Sequence, residues 1–257
     1  MLTLQCPPPH IPPTLPTPSN PCPNTTTNPI LNDALTIRRQ VFIDEQNCSP
    51  TNEIDADDLR SWHWVVYSRD SRDTSEYNLG EEATGQGTGH GNEALLAIGV
   101  LRLVPPPHAP HCLVETSETA TETAEGTPKY EQQAHAGHGQ EGGYDMLHEP
   151  YIKLTRVAVL PEYRGKGIAR HLVETAVDWA RRWPGEIQAA GDRVRRDVCD
   201  ASAGEAVWNG LVLVHAQVSV EGMYRRLGFE TDEGMGRWDE EGIDHVGMWL
   251  RVDTLKN

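Results

Sequence analysis

Residues 151–182, YIKLTRVAVLPEYRGKGIARHLVETAVDWARR, decide the fold. Apolar and branched residues favour a strand as far as Leu160, and Pro161 ends its hydrogen bonding. A glycine-rich basic turn, residues 164–169, follows, and apolar residues then recur at helical spacing until Pro184. Glycines let backbone N–H groups close around an anion at the positive end of a helix. The order therefore predicts an anion site, with a plain strand-to-helix connection as the alternative.

The turn resembles a known cofactor motif. Residues 157–169 are similar to the acetyl-CoA motif R/Q-x-x-G-x-G/A of the GCN5-related N-acetyltransferase (GNAT) superfamily, carried here by Arg164, Gly167 and Ala169. A second block resembles the next strand and helix of that superfamily, at residues 215–217 and 223–229. Three further stretches resemble its ElaA-like branch, at residues 41–46, 53–58 and 242–248.

The resemblance implies acetyl-CoA as the co-substrate and direct transfer of its acetyl group to an amine, without a metal. Backbone groups of the strand would hold pantetheine and the thioester oxygen, and N–H groups of the turn would hold the pyrophosphate. Because CoA is an anion and the chain is acidic, Arg164, Lys166 and Arg170 are the predicted local basic patch. Tyr224 occupies the position of the superfamily's general acid, since a protonated phenol can protonate a departing thiolate. The predicted cofactor-binding residues are Val157, Val159, Arg164, Gly165, Lys166, Gly167, Ile168 and Ala169.

The acceptor side is less defined. The superfamily's segment that corresponds to residues 53–58 overhangs the acceptor, so Glu53 and Asp55 are predicted to attract an amine. Composition alone favours a solvated loop or the start of a short helix there. The base that accepts the ammonium proton stays open among Glu149, Glu53, Asp55, His215 and an ordered water. The favoured function is acetylation of the primary amine of a small molecule of the amino-sugar or polyamine type, with a protein or peptide acceptor or a non-catalytic acyl-CoA-binding module as alternatives.

The composition bounds the partners. The 257 residues include 38 Asp and Glu against 22 Lys and Arg, and the formal charge of −16 argues against nucleic acid and anionic membranes as partners. Five scattered cysteines, with no signal peptide and no membrane-length apolar run, predict a cytoplasmic protein, and a homodimer stays open. The pairs His108/His111 and His135/His138 lie in a polar insertion and are interpreted as solvated, so no metal site is predicted.

The expected organisation is one domain with long insertions. Residues 1–29 are predicted to be a Pro-rich arm with a first strand at 2–5, followed by a single acetyltransferase-like domain at 30–257. Its insertions are expected at about 69–93, 105–148 and 185–209, the last with a short helix.

The order of elements predicts the fold class. A helix capped by Asn32 or Asp33 precedes two antiparallel strands, the central strand and helix, another strand and helix, and a final hairpin. In the first of the two strands, alternation places Trp62 and Trp64 on one face and His63, in a structural role, on the other. The result is an α/β fold in which a mixed, mostly antiparallel sheet carries helices on both faces, with long loop insertions.

Overall fold

A mixed sheet organises the part of the chain that this computed structural model describes, residues 1–25, 28–69, 95–109, 148–198 and 207–255. The strands are β1 (Leu2–Cys6), β2 (Trp62–Ser68), β3 (Leu96–Val104), β4 (Tyr151–Val159), β5 (Leu211–Gln217), β6 (Glu230–Thr231), β7 (Arg237–Glu240) and β8 (Ile243–Arg251). The α-helices are α1 (Pro29–Arg38), α2 (Ile168–Arg182), α3 (Pro184–Val198) and α4 (Glu221–Arg226). A π-helical turn (Arg39–Glu45) continues α1, and short 3₁₀ helices lie at Pro50–Asn52, Ala56–Arg60, Pro161–Tyr163 and Val218–Val220.

The sheet has the order β1-β2-β3-β4-β5-β8-β6, with β7 also paired to β8. Its described pairs are antiparallel except for β4 and β5, which run parallel. The predicted fold class is therefore confirmed, including the β2–β3 hairpin and the final β7–β8 hairpin. The parallel pairing is short, because it ends at Leu154 and Val214 although both strands continue. Beyond that point β4 and β5 part.

Helices cover both faces of the sheet. One face packs against α2, α3 and α4, and here Trp62 and Trp64 of β2 meet Trp179 of α2, with ring centroids 4.9 and 5.5 Å apart. The other face packs against α1, where Val65 of β2 joins Ala34 and its neighbours in a second apolar cluster. The alternation predicted for β2 is confirmed, since successive residues of a strand point to opposite faces.

Two helix boundaries differ from the prediction. Asn28, not Asn32 or Asp33, caps α1: its side chain accepts a hydrogen bond from the N–H of Leu31 at 3.1 Å. Pro29 fits the first helical position because its missing N–H would have no partner there. Asn32 is not the cap because it is already the fourth residue of the helix, where its side chain is buried.

The segment after α2 is more regular than expected. Instead of an insertion with a short helix at 185–209, the 15-residue helix α3 begins directly at Pro184. Ile187 and Ala190 of α3 are buried in the main core, and Trp208 is buried beyond it. Pro184 does end α2, but it also starts the next helix, a position that proline favours.

The other predicted insertions, at about 69–93 and 105–148, lie mostly outside the described residues, as do His111, His135 and His138. His108 is described, and the prediction that it is solvated is wrong: it is buried and stacks on the ring of Tyr151 at 4.5 Å. No helix in the described ranges is long and apolar enough to cross a membrane.

Candidate functional site

The glycine turn, residues 164–169, connects β4 to α2. Gly165 and Gly167 have φ angles of +74° and +79°, which residues with a side chain adopt only with strain. Gly167 is the N-cap of α2, and the first helical hydrogen bond runs from the N–H of His171 to its carbonyl, at 2.9 Å. The N–H groups that precede His171 in the helix therefore have no partner one turn back. A Cβ atom added at either glycine would meet nothing within 4 Å, so the turn borders open space that an anion can enter.

Two of the three residues predicted to form a basic patch beside this turn are paired with carboxylates. Arg164 donates to both carboxylate oxygens of Glu45, at 2.6 Å each, and Arg170 donates to Glu174 at 2.8 Å. Lys166 lies over the ring of Tyr163, with its ammonium 4.9 Å from the ring centre. The first N–H groups of α2 are open to an anion, and contact of Arg164, Lys166 and Arg170 with a phosphate stays a prediction.

The strand that leads to the turn is bulged at Arg156. Its φ is +52°, and the pairing with β3 slips at the same place, since Val100 opposes Ala158 but Arg102 opposes Thr155. A bulge bends the strand and redirects its backbone groups. It begins just beyond the last pairing between β4 and β5, so the stretch that contains Val157 and Val159 runs beside the gap between the strands. Their contacts with pantetheine and the thioester stay a prediction.

Tyr224 lies on the far side of this gap, on the short helix α4 that follows β5. It is only 4% exposed, belongs to the main core, and packs edge-to-face against Phe229, with ring centroids 5.4 Å apart. Burial raises the pKa of Tyr224 well above its ordinary value, so the phenol holds its proton throughout the physiological pH range. A protonated donor is what the predicted role requires, although that role itself stays a prediction.

The acidic segment, residues 53–58, is not a solvated loop but, as the alternative prediction had it, the start of a short helix: Asp55 caps the 3₁₀ helix Ala56–Arg60. Glu53 and Asp58 are buried and both bind Arg38 of α1, at 2.5 Å to its Nε and 2.6 Å to its Nη1. His63 is fully buried beside them, with its Nε2 3.3 Å from Arg38 and 3.4 Å from Asp58. The structural role predicted for His63 is confirmed. Composition could not show this burial, because the neutralising arginine comes from another element.

Two more arginines complete what we call the buried charge cluster. Arg102 of β3 binds both carboxylate oxygens of Asp55, at 2.8 and 2.9 Å, and Asp58 at 3.0 Å. Arg156 at the bulge lies 3.4 Å from Glu53 and donates to the carbonyl of Asn52 at 2.9 Å. Burial alone would raise the pKa of Asp58, but His63 and the two neighbouring guanidinium groups hold it well below its ordinary value. The buried charge cluster consists of Arg38, Glu53, Asp55, Asp58, His63, Arg102 and Arg156.

The charge cluster changes what the predicted acceptor residues can do. The side chain of Glu53 is 5% exposed, whereas that of Asp55 is 39% exposed and shares its charge with Arg102. Of the two, Asp55 has the carboxylate that is partly open to solvent, and an acceptor-binding role stays a prediction. Glu149, a candidate base, binds Arg251, and the ring of His215 packs edge-to-face on Trp238 at 4.9 Å.

Comparison with known proteins gives a match to one family. The profile of the Acetyltransferase (GNAT) family matches residues 56–194, just over half of the chain, and ends before Tyr224. No curated protein matches the sequence.

Solved structures with a similar fold include an acyl-CoA N-acyltransferase from Pseudomonas aeruginosa (20% identity, 86% of this chain and 89% of that one, TM-score 0.44). They also include Escherichia coli ElaA (17% identity, 85% and 88%, TM-score 0.42) and a putative N-acetyltransferase from Lactobacillus plantarum (17% identity, 91% and 92%, TM-score 0.42). With TM-scores below 0.5 these likenesses carry no further conclusion, and membership of the ElaA-like branch stays a prediction. The sheet, the glycine turn and the family match together assign this chain to the GNAT family of acyltransferases.

Proposed function

We propose that the protein is an acetyl-CoA-dependent N-acetyltransferase that acts on the primary amine of a small molecule. The observation that carries the proposal is the parting of β4 and β5 beyond Leu154 and Val214, with the glycine turn at the end of one strand and Tyr224 beyond the end of the other. This gap is an extended slot for pantetheine, and the open N–H groups of the turn lie where a pyrophosphate would follow.

In this slot catalysis depends on placement. Backbone groups at Val157 and Val159 hold the thioester so that fixed dipoles face the oxygen on which negative charge develops. The amine then attacks directly, and the rate gain comes from holding both reactants in a productive geometry. No residue of the chain forms a covalent intermediate in this scheme.

The departing thiolate takes its proton from Tyr224. Burial raises the pKa of Tyr224, which by itself weakens a donor, but a thiolate released into the same buried slot is penalised in the same way. The two pKa values therefore rise together and proton transfer stays feasible. On the acceptor side, Asp55 contributes negative potential near the incoming amine, and the base stays open among the groups named above and water.

A thiol-release assay with acetyl-CoA tests the proposal, using amino sugars, polyamines, amino acids and peptides as acceptors. Release with a small amine supports it, and release with peptides alone would move the acceptor class to proteins. CoA binding without release for any acceptor would instead indicate a non-catalytic binding module.

A matched pair of tyrosine variants isolates proton donation. Tyr224→Phe should lower kcat by about 10²- to 10⁴-fold with CoA affinity unchanged, the range for a lost general acid. Tyr67→Phe is the control, because the Tyr67 hydroxyl is also part-buried and donates to Asp33 at 2.7 Å, on the α1 face of the sheet. It should lose about 1.5–3 kcal/mol of stability through one hydrogen bond to a carboxylate while turnover is kept. If kcat of Tyr224→Phe changes less than about threefold when chemistry limits the rate, Tyr224 is not the donor.

A further inference from the structure

The π-helical turn after α1 ends beside the gap between β4 and β5, and its last residues touch both sides of that gap. Glu45, the last residue of the turn, receives two hydrogen bonds from Arg164 in the glycine turn that follows β4. The next residue, Gln46, accepts a hydrogen bond from Gln217 at the end of β5, at 3.3 Å. π-Helical turns are rare and are frequent at functional sites.

Residues 45–53, which we call the acceptor-side segment, are joined to β4 at two points. One is the Glu45–Arg164 pair beyond the end of the strand. The other is the bulge, where Arg156 donates to the carbonyl of Asn52 and approaches Glu53. The segment therefore runs past the part of β4 that has left β5, and it leads directly to Asp55.

Arg164 is held on both of its sides. Its Nε donates to the carbonyl of Val159 at 2.9 Å while its two terminal nitrogens bind Glu45. The guanidinium thus fixes the first residue of the glycine turn to the last residue of β4 and to the acceptor-side segment together. A planar fork with three hydrogen bonds defines orientation in a way that a lysine ammonium cannot.

We propose that Glu45 is a positioning residue which, through Arg164, couples CoA binding in the glycine turn to the ordering of the acceptor-side segment. The inference rests on the proposed function, because it takes CoA as the ligand of the turn. When the acceptor-side segment is already ordered, less conformational entropy is lost as CoA orders the glycine turn, so CoA binds more tightly. By thermodynamic linkage, bound CoA stabilises the ordered segment to the same extent. The rival role for Arg164 is that of a direct phosphate ligand.

Calorimetry with CoA on charge-matched variants separates the two roles. If Arg164 acts through Glu45, then Glu45→Gln and Arg164→Lys should each weaken CoA binding by up to about fivefold, the worth of an exposed bidentate pair, and the double variant should be no weaker than either. If Arg164 binds phosphate directly, Glu45→Gln releases its guanidinium and CoA binds as well as before or better, while Arg164→Lys keeps the charge and much of the affinity. That second result would overturn the proposal.

Amide hydrogen exchange over residues 45–53 tests the coupling directly, because a merely structural role of Glu45 would not change how CoA affects this exchange. At saturating CoA, exchange in this segment should slow in the wild type and stay unchanged in Glu45→Gln. Glu241→Gln is the control: Glu241 ties Ser49 and Asn52 to the β7–β8 turn, so its loss loosens the segment without touching Arg164. It should keep the CoA response.

The outcomes distinguish this proposal from the proposed function. A wild-type protein that binds no CoA contradicts both. A wild type that binds CoA, with Glu45→Gln showing the same affinity and the same protection of residues 45–53, contradicts the coupling alone.

Discussion

In the buried charge cluster, Asp58 lies 2.6 Å from Arg38 and 3.0 Å from Arg102, whereas at the glycine turn the first N–H groups of α2 border open space. Both regions carry conspicuous charges in the sequence, acidic in one and basic in the other. In the cluster, the charges come from four elements and neutralise one another in the interior. At the turn, the arginine side chains are paired and the backbone provides the positive field. The formal charge of a stretch thus says little about what it binds until the partners of each side chain are known.

The two regions also differ in how replaceable their members are. The desolvation cost of a buried ion is offset only by its interactions with its partners. Removing one partner therefore leaves another charge buried and unpaired. An exposed pair at a helix start has water as an alternative partner and is worth little.

The largest effect that we predict comes from breaking the cluster. Arg38→Met should lower the free energy of unfolding by about 3–5 kcal/mol, because Glu53 and Asp58 would lose the guanidinium that both share. For a chain of this length that corresponds to a fall in Tm of about 6–20 °C, measurable by calorimetry.

The comparison is sharpened by Arg170→Met. Arg170 pairs with Glu174 one turn along α2, and both side chains are exposed. Its loss should change stability by no more than about 0.5 kcal/mol. Equal losses in the two variants would mean that the charge cluster is not the structural brace described here.

Much of the fold could be predicted because the strands, the hairpins and α2 each follow from a local periodicity of apolar residues. The boundaries that failed depended on single residues with two possible uses, as when Pro184 ends one helix and starts the next. Nothing in the residues around Leu154 signals that β4 and β5 part there.

The glycine turn could be predicted for a similar reason, because Gly165 and Gly167 favour a turn through their own backbone freedom and need no partner from a distant part of the chain. The charge cluster could not, since Glu53 meets Arg38 across 15 positions and Asp55 meets Arg102 across 47. One usable signal was Arg102, a lone charge in the apolar strand LAIGVLRLV, where a buried carboxylate partner is required. The bulge at Arg156 had no signal, because its positive φ belongs to a residue that rarely adopts one.

A smaller effect is predicted on binding at the turn. Gly167→Glu should weaken CoA binding by about 100-fold or more, because it places a carboxylate where the pyrophosphate is expected. Gly236→Glu is the matched control: Gly236 also has a positive φ, +64°, and open space around its Cβ position. Both variants should lose about 1–2 kcal/mol of stability from backbone strain, and CoA affinity should fall only in the first. Unchanged affinity in a folded Gly167→Glu protein, by calorimetry, would move the phosphate site elsewhere.

The smallest effect concerns proton uptake at His63. Burial, and secondarily the nearby charge of Arg38, lower the pKa of His63 to about 4, against an attraction from Asp58 that would raise it. At pH values between this pKa and the ordinary pKa of about 6.5, His63 is protonated in the unfolded chain and neutral in the folded protein. Stability from His63 is therefore complete above pH 6.5 and is lost as the pH falls toward 4. From pH 7 to pH 5 the loss should be about 1.5 kcal/mol.

Denaturant unfolding of the wild type and His63→Gln at pH 7 and pH 5 tests this, because glutamine cannot take up the proton and the difference between the two proteins should shrink by that amount at pH 5. His108 is also buried, with a pKa well below its ordinary value, but it contributes equally to both proteins and cancels. The lowered pKa values of Asp55 and Asp58 affect stability only below this pH range, so they do not interfere.

The direction of the stability change between pH 7 and pH 5 shows whether folding lowers or raises the pKa of His63. If His63 were instead a cation paired with Asp58, its folded pKa would be raised, and the wild type would gain stability over the variant as the pH falls from 7 to 5. That gain would show that the cluster holds one more positive charge than its arginines supply.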